Sequence, residues 1–207
     1  MYTAFHNHSY YSVLDGFSSP KEYFERAKEI GLKGFQISEH GNQYSWPYFT
    51  KLSKEYPEIK FLYGIEFYES FDINTKDTNQ RYFHLLVTCI NEQSRIAMNN
   101  LITKSNTDGF YYKPRVDLNM LKPYGDLFVV SSACLASKLA REKDYSKCID
   151  YVYEYKSIFK YFYLELMSHK TPDQIEYNQK LLKLSSDTKT DIIITCDSHA
   201  STKEYLY

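Results

Sequence analysis

Glycine is scarce in this chain, with 7 among 207 residues, and no glycine-rich turn follows the first apolar run. That absence argues against an open doubly wound sheet, whose first strand usually leads into such a phosphate-binding turn. Basic charge is not in excess either. The 25 Lys and Arg stand against 26 Asp and Glu, for a net charge of −1, so no global positive field exists to hold polyanions non-specifically. No apolar run approaches the roughly 18 residues of a membrane span, and no basic-then-apolar leader is present. The expectation is a cytoplasmic chain, neither secreted nor membrane-spanning. The four cysteines, Cys89, Cys134, Cys148 and Cys196, have no paired spacing. C-x-x-C zinc sites are thereby excluded, and reduced thiols are expected. Repeats and low-complexity tracts are missing.

What is abundant is aromatic: 22 Tyr and 13 Phe. Tyrosine can bury its ring while keeping its hydroxyl wet, so these are read as core and rim packing rather than as a base-stacking surface. A length of 207 residues suits a single domain over the whole chain. Apolar runs predict strands at Thr3–Asn7, Gly34–Ser38, Phe61–Phe67, Tyr82–Cys89, Leu127–Ser132, Tyr161–Met167 and Asp191–Cys196. Helices between them carry start and stop signals. Ser19-Pro20-Lys21-Glu22 is a capping box with proline at the first helical position. Thr171-Pro172-Asp173-Gln174 repeats the device, and Gly31 marks a helix end. Seven strands alternating with helices point to a parallel α/β fold, and a closed (β/α) barrel fits best. Two connections are expanded, Glu69–Arg81 and Thr107–Gly125.

In such folds chemistry gathers at the C-terminal ends of strands. His6 and His8 stand two apart at the end of the first run, on one side if extended, with Asp15 shortly after. The second run ends in Glu39 and His40, the third carries Glu66, the fifth leads to Cys134, and the seventh gives Asp197 and His199. His84 lies near the start of its run, which fits less well. Each has a plain reading. Asp15-Gly16 is a turn signal, Cys134 alone suits a small core residue, as do Cys89, Cys148 and Cys196, and His84 suits an apolar interior. Glu39 reads as a loop acid or as a partner orienting His40. His169 has no partner and reads as surface.

Imidazole, carboxylate and thiolate together favour zinc, manganese or iron over calcium or magnesium. Nine candidate residues are too many for one tetrahedral ion and suit two or three ions sharing carboxylates. Asp15, Glu66, Asp197 and a Cys134 thiolate supply four negative charges. Three divalent ions would exceed that by two, enough to attract a phosphate and activate water.

"FHNHSYYSVLDG", "SEHGN", "YGIEFY", "YFHLLV", "GFYYKPRVD", "SSACLAS" and "CDSHA" resemble the motifs of the PHP (polymerase and histidinol phosphatase) domain, most closely its form at the N-terminus of bacterial replicative DNA polymerase III alpha subunits. The resemblance implies one PHP domain over residues 1–207, a distorted (β/α)7 barrel. It also implies a trinuclear metal site held by His6, His8, Asp15, His40, Glu66, His84, Cys134, Asp197 and His199. His84 is a ligand in that pattern. Glu39 stands where the family usually has Asp, which bears on the surroundings of His40. The polymerase that follows in such proteins is missing here, so the chain is expected to be an independent protein, as of a phage, or a cut-out domain, with a natural N-terminus. The implied activity is metal-dependent phosphoester hydrolysis, foremost as a 3′–5′ exonuclease on DNA ends with replication proteins as partners. Lys113, Arg115, Lys138 and Arg141 are candidate phosphate contacts. The alternatives are a phosphatase for small phosphomonoesters and a non-catalytic, metal-stabilised polymerase module.

Overall fold

A computed structural model describes residues 2–79 and 82–203. Its strands are β1 (Thr3–Ala4), β2 (Gly34–His40), β3 (Lys60–Glu69), β4 (Phe83–Cys89), β5 (Arg115–Val116), β6 (Phe128–Ser131), β7 (Tyr161–Met167) and β8 (Ile192–Thr195). They form one sheet in the order β1-β2-β3-β4-β6-β7-β8, with the two-residue β5 paired to the end of β3 off that path. The edges approach each other beyond β1 and β8. Asn7 and Ser198 form a parallel bridge, the His8 amide donates to the Ser198 carbonyl at 2.8 Å, and the Ser198 amide donates to the His6 carbonyl at 3.1 Å. The sheet is thus a nearly closed, distorted barrel.

β4 is antiparallel to both β3 and β6, while the other strand pairs are parallel. The wholly parallel expectation is corrected at this one strand. Reversal carries the start of β4 to the end of the barrel where the other strands finish, so His84 pairs with Tyr68 near the end of β3. β1 is shorter than expected because His6 takes a φ of 61°, which breaks the extended run. β5 was not foreseen. Of the connection expected over Glu69–Arg81, Glu69 belongs to β3; residues 80 and 81 lie outside the described residues.

The α-helices among the described residues are α1 (Pro20–Glu29), α2 (Trp46–Leu52), α3 (Glu92–Thr107), α4 (Leu118–Leu121), α5 (Lys138–Arg141), α6 (Tyr145–Ile158) and α7 (Pro172–Thr188). The Ser19–Glu22 capping box is formed in full at α1, and Gly31 follows that helix at φ 71°. At α7 Thr171 is the N-cap, but its side chain makes no capping bond. The larger core cluster joins the β3–β7 interior to α3, α6 and α7 through residues such as Phe67, Leu85, Leu101, Phe128, Val152 and Leu181. A smaller aromatic cluster, with Tyr23, Phe24, Phe35 and Phe49, seats α1 and α2 on the outer side of β2 and β3. Most aromatics are packing residues, as expected. Cys89 and Cys148 are buried, Cys196 is exposed contrary to the core expectation, and His169 is exposed as expected. No helix among the described residues is long and apolar enough to cross a membrane.

Candidate metal centre

The turn after β1 brings His6 and His8 to the barrel mouth by an uncommon route. His6, Leu14, Ala133 and Asp197 all take left-handed backbone angles, with φ of 61°, 68°, 55° and 47°. Each such residue costs on the order of 1–3 kcal/mol and persists only where its surroundings impose it. At His6 those surroundings include the Gln36 side chain, which accepts from the His6 amide at 3.3 Å. Gln36 lies against Gly64, where a Cβ would come within 1.7 Å of the Gln36 Nε2. Glycine in "YGIEFY" therefore clears the space from which the first histidine is held.

Glu66, wholly buried on β3, is the hub. Its Oε1 lies 3.1 Å from His6 Nε2 and 3.0 Å from His84 Nδ1, and its Oε2 lies 2.7 Å from His40 Nδ1 and 3.5 Å from His8 Nε2. Asp197 Oδ1 is 3.3 Å from Nε2 of both His6 and His8. Asp15 Oδ2 lies 2.6 Å from His40 Nε2 and 3.0 Å from His199 Nε2. Cys134 Sγ stands 3.5 Å from both Glu66 Oε1 and His84 Nδ1. All nine residues singled out in the sequence converge here. Within them, His6/His8/Glu66, His40/Glu66/His84 and His8/His40/His199 each place their ligating atoms within 4.8 Å of one another.

The outer hydrogen bonds decide what these rings present. Glu165, buried on β7, takes His6 Nδ1 at 2.6 Å, and its two oxygens also accept from Thr195 and Ser131 at 2.6 Å each. Ser12 Oγ donates to Glu39 at 2.6 Å and lies 3.1 Å from His8 Nδ1. With its proton committed to Glu39, that hydroxyl accepts from Nδ1–H of His8. His199 Nδ1 is held by the Asp197 carbonyl at 2.9 Å. His6, His8 and His199 are therefore fixed with protons on Nδ1 and Nε2 lone pairs facing inward.

Those lone pairs face carboxylate oxygens that also have nothing to give. His6 Nε2, His8 Nε2, His40 Nδ1, Glu66 Oε2 and Asp197 Oδ1 are buried without a hydrogen-bond partner. Acceptor against acceptor is repulsive unless a cation lies between them. Without such a cation, the carboxylates draw a proton onto the histidine instead, and titration shows how strongly the pocket calls for positive charge. For His6, burial disfavours the charged ring, yet Asp197, Glu165 and Glu66 outweigh it and push its pKa well above 6.5. For Glu66, burial is overcome by His6 and His84, which hold its carboxyl well below the usual range. Burial, then Glu66 and Asp197, push the Cys134 thiol well above its ordinary value. The donor set fits divalent cations.

Glu39, read from the sequence as a loop acid or as a partner orienting His40, is buried and accepts from Ser9 and Ser12. Ser12 Oγ in turn meets His8 Nδ1 and accepts from the His40 amide at 3.3 Å, so Glu39 reaches both histidines through Ser12. The basic residues divide. Lys113 is exposed and lines the cleft of about 350 Å³ in front of the centre, with Asp15, His40, Tyr68 and His84. Arg115 is buried and donates to the carbonyls of Gly109, Thr75 and Ile73 at 3.0, 2.8 and 2.6 Å. Lys138 is buried in an ion pair with Glu69 at 2.7 Å. These two are corrected from phosphate contacts to fold residues, because their charges are consumed inside the protein. Arg141 is exposed outside this cleft, against the Phe83 ring and the Tyr82 carbonyl. A larger groove of about 900 Å³, lined by Leu135, Tyr145, Tyr177 and Lys180, contains none of the nine. Glu165 was missed from the sequence. Its only signal is one carboxylate inside the apolar run "YFYLELM".

The chain is similar to known proteins in sequence and in fold. The DNA polymerase III subunit alpha of Helicobacter pylori is 33% identical over 215 residues, covering 96% of this chain, and that of Aquifex aeolicus is 31% identical over 216 residues, covering 98%. The chain spans 18% of the length of these curated relatives. Among solved structures, an amidohydrolase from Chromobacterium violaceum with bound sulfate and no metal superposes at a TM-score of 0.62 with 12% identity, over 96% of this chain and 87% of that one. The histidinol phosphate phosphatase of Lactococcus lactis, complexed with zinc, L-histidinol and phosphate, superposes at 0.52 with 14% identity, over 99% and 88%. At those identities the likeness is one of fold. The sequence profile of the PHP domain matches residues 4–169, from just before the first histidine through β7. Profile and polymerase relatives agree on one assignment: this chain belongs to the PHP domain family.

Proposed function

We propose that this chain is a metal-dependent phosphoesterase, a 3′–5′ exonuclease acting on DNA ends, built as one PHP domain over residues 1–207 and working in the cytoplasm beside replication proteins. The observation that carries the reading is the ring of inward-facing, unpartnered acceptors on His6, His8, His40, Glu66 and Asp197. Three divalent ions, zinc, manganese or iron, would be held by those residues with Asp15, His84, Cys134 and His199, and Glu66 would be shared between ions. Bound there, the ions supply positive charge for phosphate oxygens and lower the pKa of water. The chain itself does the positioning. Glu165 and the Glu39–Ser12 pair orient the His6 and His8 rings, so these two present Nε2 to the centre without turning. Lys113 at the cleft supplies a cation for the phosphate of a DNA end.

The DNA preference draws on the polymerase relatives, at 31–33% identity. The test compares 3′-end-labelled DNA with a generic phosphomonoester, with added Mn²⁺ or Zn²⁺ and after chelation, alongside a metal count on the purified protein. Release of labelled mononucleotides that stops on chelation is expected. Hydrolysis of the monoester alone would replace the exonuclease by a phosphatase, and no hydrolysis of either with metal bound would leave a structural module.

A further inference from the structure

Four tyrosines among the described residues are buried: Tyr23, Tyr68, Tyr155 and Tyr177. Three of them have a partner for the hydroxyl. Tyr23 Oη donates to the His8 carbonyl at 2.7 Å, Tyr155 Oη donates to Glu69 Oε2 at 2.6 Å, and Tyr177 Oη meets Ser137 Oγ at 2.9 Å. Tyr68 Oη has none among the described residues, although the residue is only 6% exposed. A buried phenol ordinarily finds a partner, because a hydroxyl taken from water and left unpaired is costly. This one is not sealed off. It is absent from the protein's buried unpartnered atoms, and Tyr68 is part of the wall of the cleft that contains Asp15, His40, His84 and Lys113.

The ring that carries this hydroxyl is fixed on several sides. It stacks on His40 at 6.0 Å between centroids, inclined by 22°, and meets His84 and Tyr82 edge-on at 5.6 and 4.8 Å. Gly41 makes room for it: a Cβ there would come within 2.9 Å of the Tyr68 ring and 3.1 Å of Pro114. The glycine of "SEHGN" thereby serves the tyrosine of "YGIEFY". The Tyr68 backbone is held as well, paired with His84 on β4 and with Arg115 on β5. With ring and backbone both packed, the freedom left is rotation of the O–H bond. Such a donor is in place before a ligand arrives and loses little entropy on binding it.

We propose that Tyr68 is a substrate-contacting residue, its phenol donating a hydrogen bond to a non-bridging oxygen of the phosphate that enters the cleft. The neighbouring charge fits an oxyanion: Lys113 Nζ lies 5.4 Å from the centre of the Tyr68 ring and lines the same cleft. The two donors differ in kind. The lysine is a point charge on a flexible stem, which attracts an anion from a distance and is screened by salt. The phenol is neutral and fixed, so it acts only at contact, on an oxygen at one place. Lys113 accordingly serves the approach of the anion, and Tyr68 its orientation once it has arrived. A hydrogen bond to a charged acceptor is also among the stronger ones. The inference rests on the phosphoesterase reading for the identity of the anion, and its test is separable from that reading.

The experiment measures binding of inorganic phosphate by isothermal titration calorimetry. Proteins are the wild type, Tyr68→Phe and Lys113→Met, each loaded with Mn²⁺, freed of excess metal and first shown folded by circular dichroism. Tyr68→Phe keeps the ring against His40, His84 and Gly41 and removes one oxygen. It is expected to hold the wild-type metal count and to bind phosphate about 10–100-fold more weakly, at low and high salt alike. Lys113→Met is expected to lose affinity at low salt and to approach the wild type as salt rises. Equal phosphate affinity in Tyr68→Phe and wild type would reduce Tyr68 to packing and overturn the inference. Loss of bound metal in Tyr68→Phe, or no phosphate binding by the wild type, would overturn it too. Hydrolysis of 3′-end-labelled DNA and of p-nitrophenyl phosphate is followed in parallel. Unchanged kcat and KM in Tyr68→Phe on whichever ester is cleaved removes the contact and leaves the phosphoesterase. Tyrosine-dependent phosphate binding with neither ester cleaved supports the contact and removes the phosphoesterase.

Discussion

Replacing Lys138 with methionine separates a residue of the fold from a residue of the substrate cleft. Lys138 is 3% exposed, its Nζ lies 2.7 Å from Glu69 Oε1, and Glu69 is wholly buried. The ammonium also sits 4.9–5.1 Å from the centres of the Phe71, Tyr151 and Tyr155 rings. The other Glu69 oxygen accepts from Tyr155 Oη at 2.6 Å. Methionine keeps the length and the contact with the rings but leaves the Glu69 carboxylate buried with one neutral donor. Breaking a buried pair from one side costs about 3–5 kcal/mol. For a chain of this size, at about 2–4 °C per kcal/mol, the melting temperature should fall by roughly 6–20 °C. Removing the charge from both sides, as Lys138→Met with Glu69→Leu, leaves only Tyr155 without its acceptor. That loss is about 1–3 kcal/mol, so the double variant should be more stable than Lys138→Met alone. Urea denaturation of wild type, both singles and the double gives the cycle directly. A Lys138→Met protein within about 1 kcal/mol of wild type, or a double variant less stable than that single, would refute the reasoning.

Further outcomes follow from the centre and its supports. Asp197→Asn should abolish hydrolysis and lower the bound metal count, because Asp197 Oδ1 faces both His6 and His8; a fully active variant would contradict the metal reading. Glu165→Gln should weaken metal affinity about 10–100-fold, read by chelator competition, since the carboxylate that fixes His6 is lost; unchanged affinity in a folded variant would remove Glu165 from that role. Arg115→Met should raise amide exchange around Ile73 and Thr75, whose carbonyls it holds, while leaving metal content as in wild type. Burial pushes the Cys89 thiol up to about 12, so at pH 8 it stays protonated. Mass spectrometry after brief alkylation of native protein should find Cys196, which is exposed, modified well before Cys89.

Eight of the nine converging residues were legible because strand runs are easy to read and their ends carry chemistry in α/β barrels; His84 was read as a ligand only through the family resemblance. What escaped reading has physical causes. The alternation of a strand is identical in both directions, so nothing in "YFHLLVTC" distinguishes a reversed β4 from a parallel one, and His84 looked misplaced. Glu165 and Lys138 escaped for a shared reason: a charged side chain counts as surface until a partner far along the chain is known. Their partners, His6 and Glu69, are 159 and 69 positions away in sequence. Arg115 is satisfied by backbone carbonyls, which leave no trace in side-chain pattern. The aromatic count was read as core and rim packing; which rings lie at the rim, such as Tyr10 and Tyr48, was not legible, since composition carries no exposure.

The reversed strand has one more consequence. After an upward strand, the sheet itself fixes where the chain arrives at the rim of the centre. Because β4 runs down, the chain climbs back through α3 instead, and the segment over residues 108–117 turns over at the rim with only the two-residue β5 to register it. Lys113 rides on that segment, and Arg115 ties it to the connection after β3 through two carbonyls, those of Ile73 and Thr75. The mouth is in effect a separately mounted part. Its length and charge can change with only the short β3–β5 pairing affected, so that the mouth is alterable apart from the main sheet that sets the nine residues.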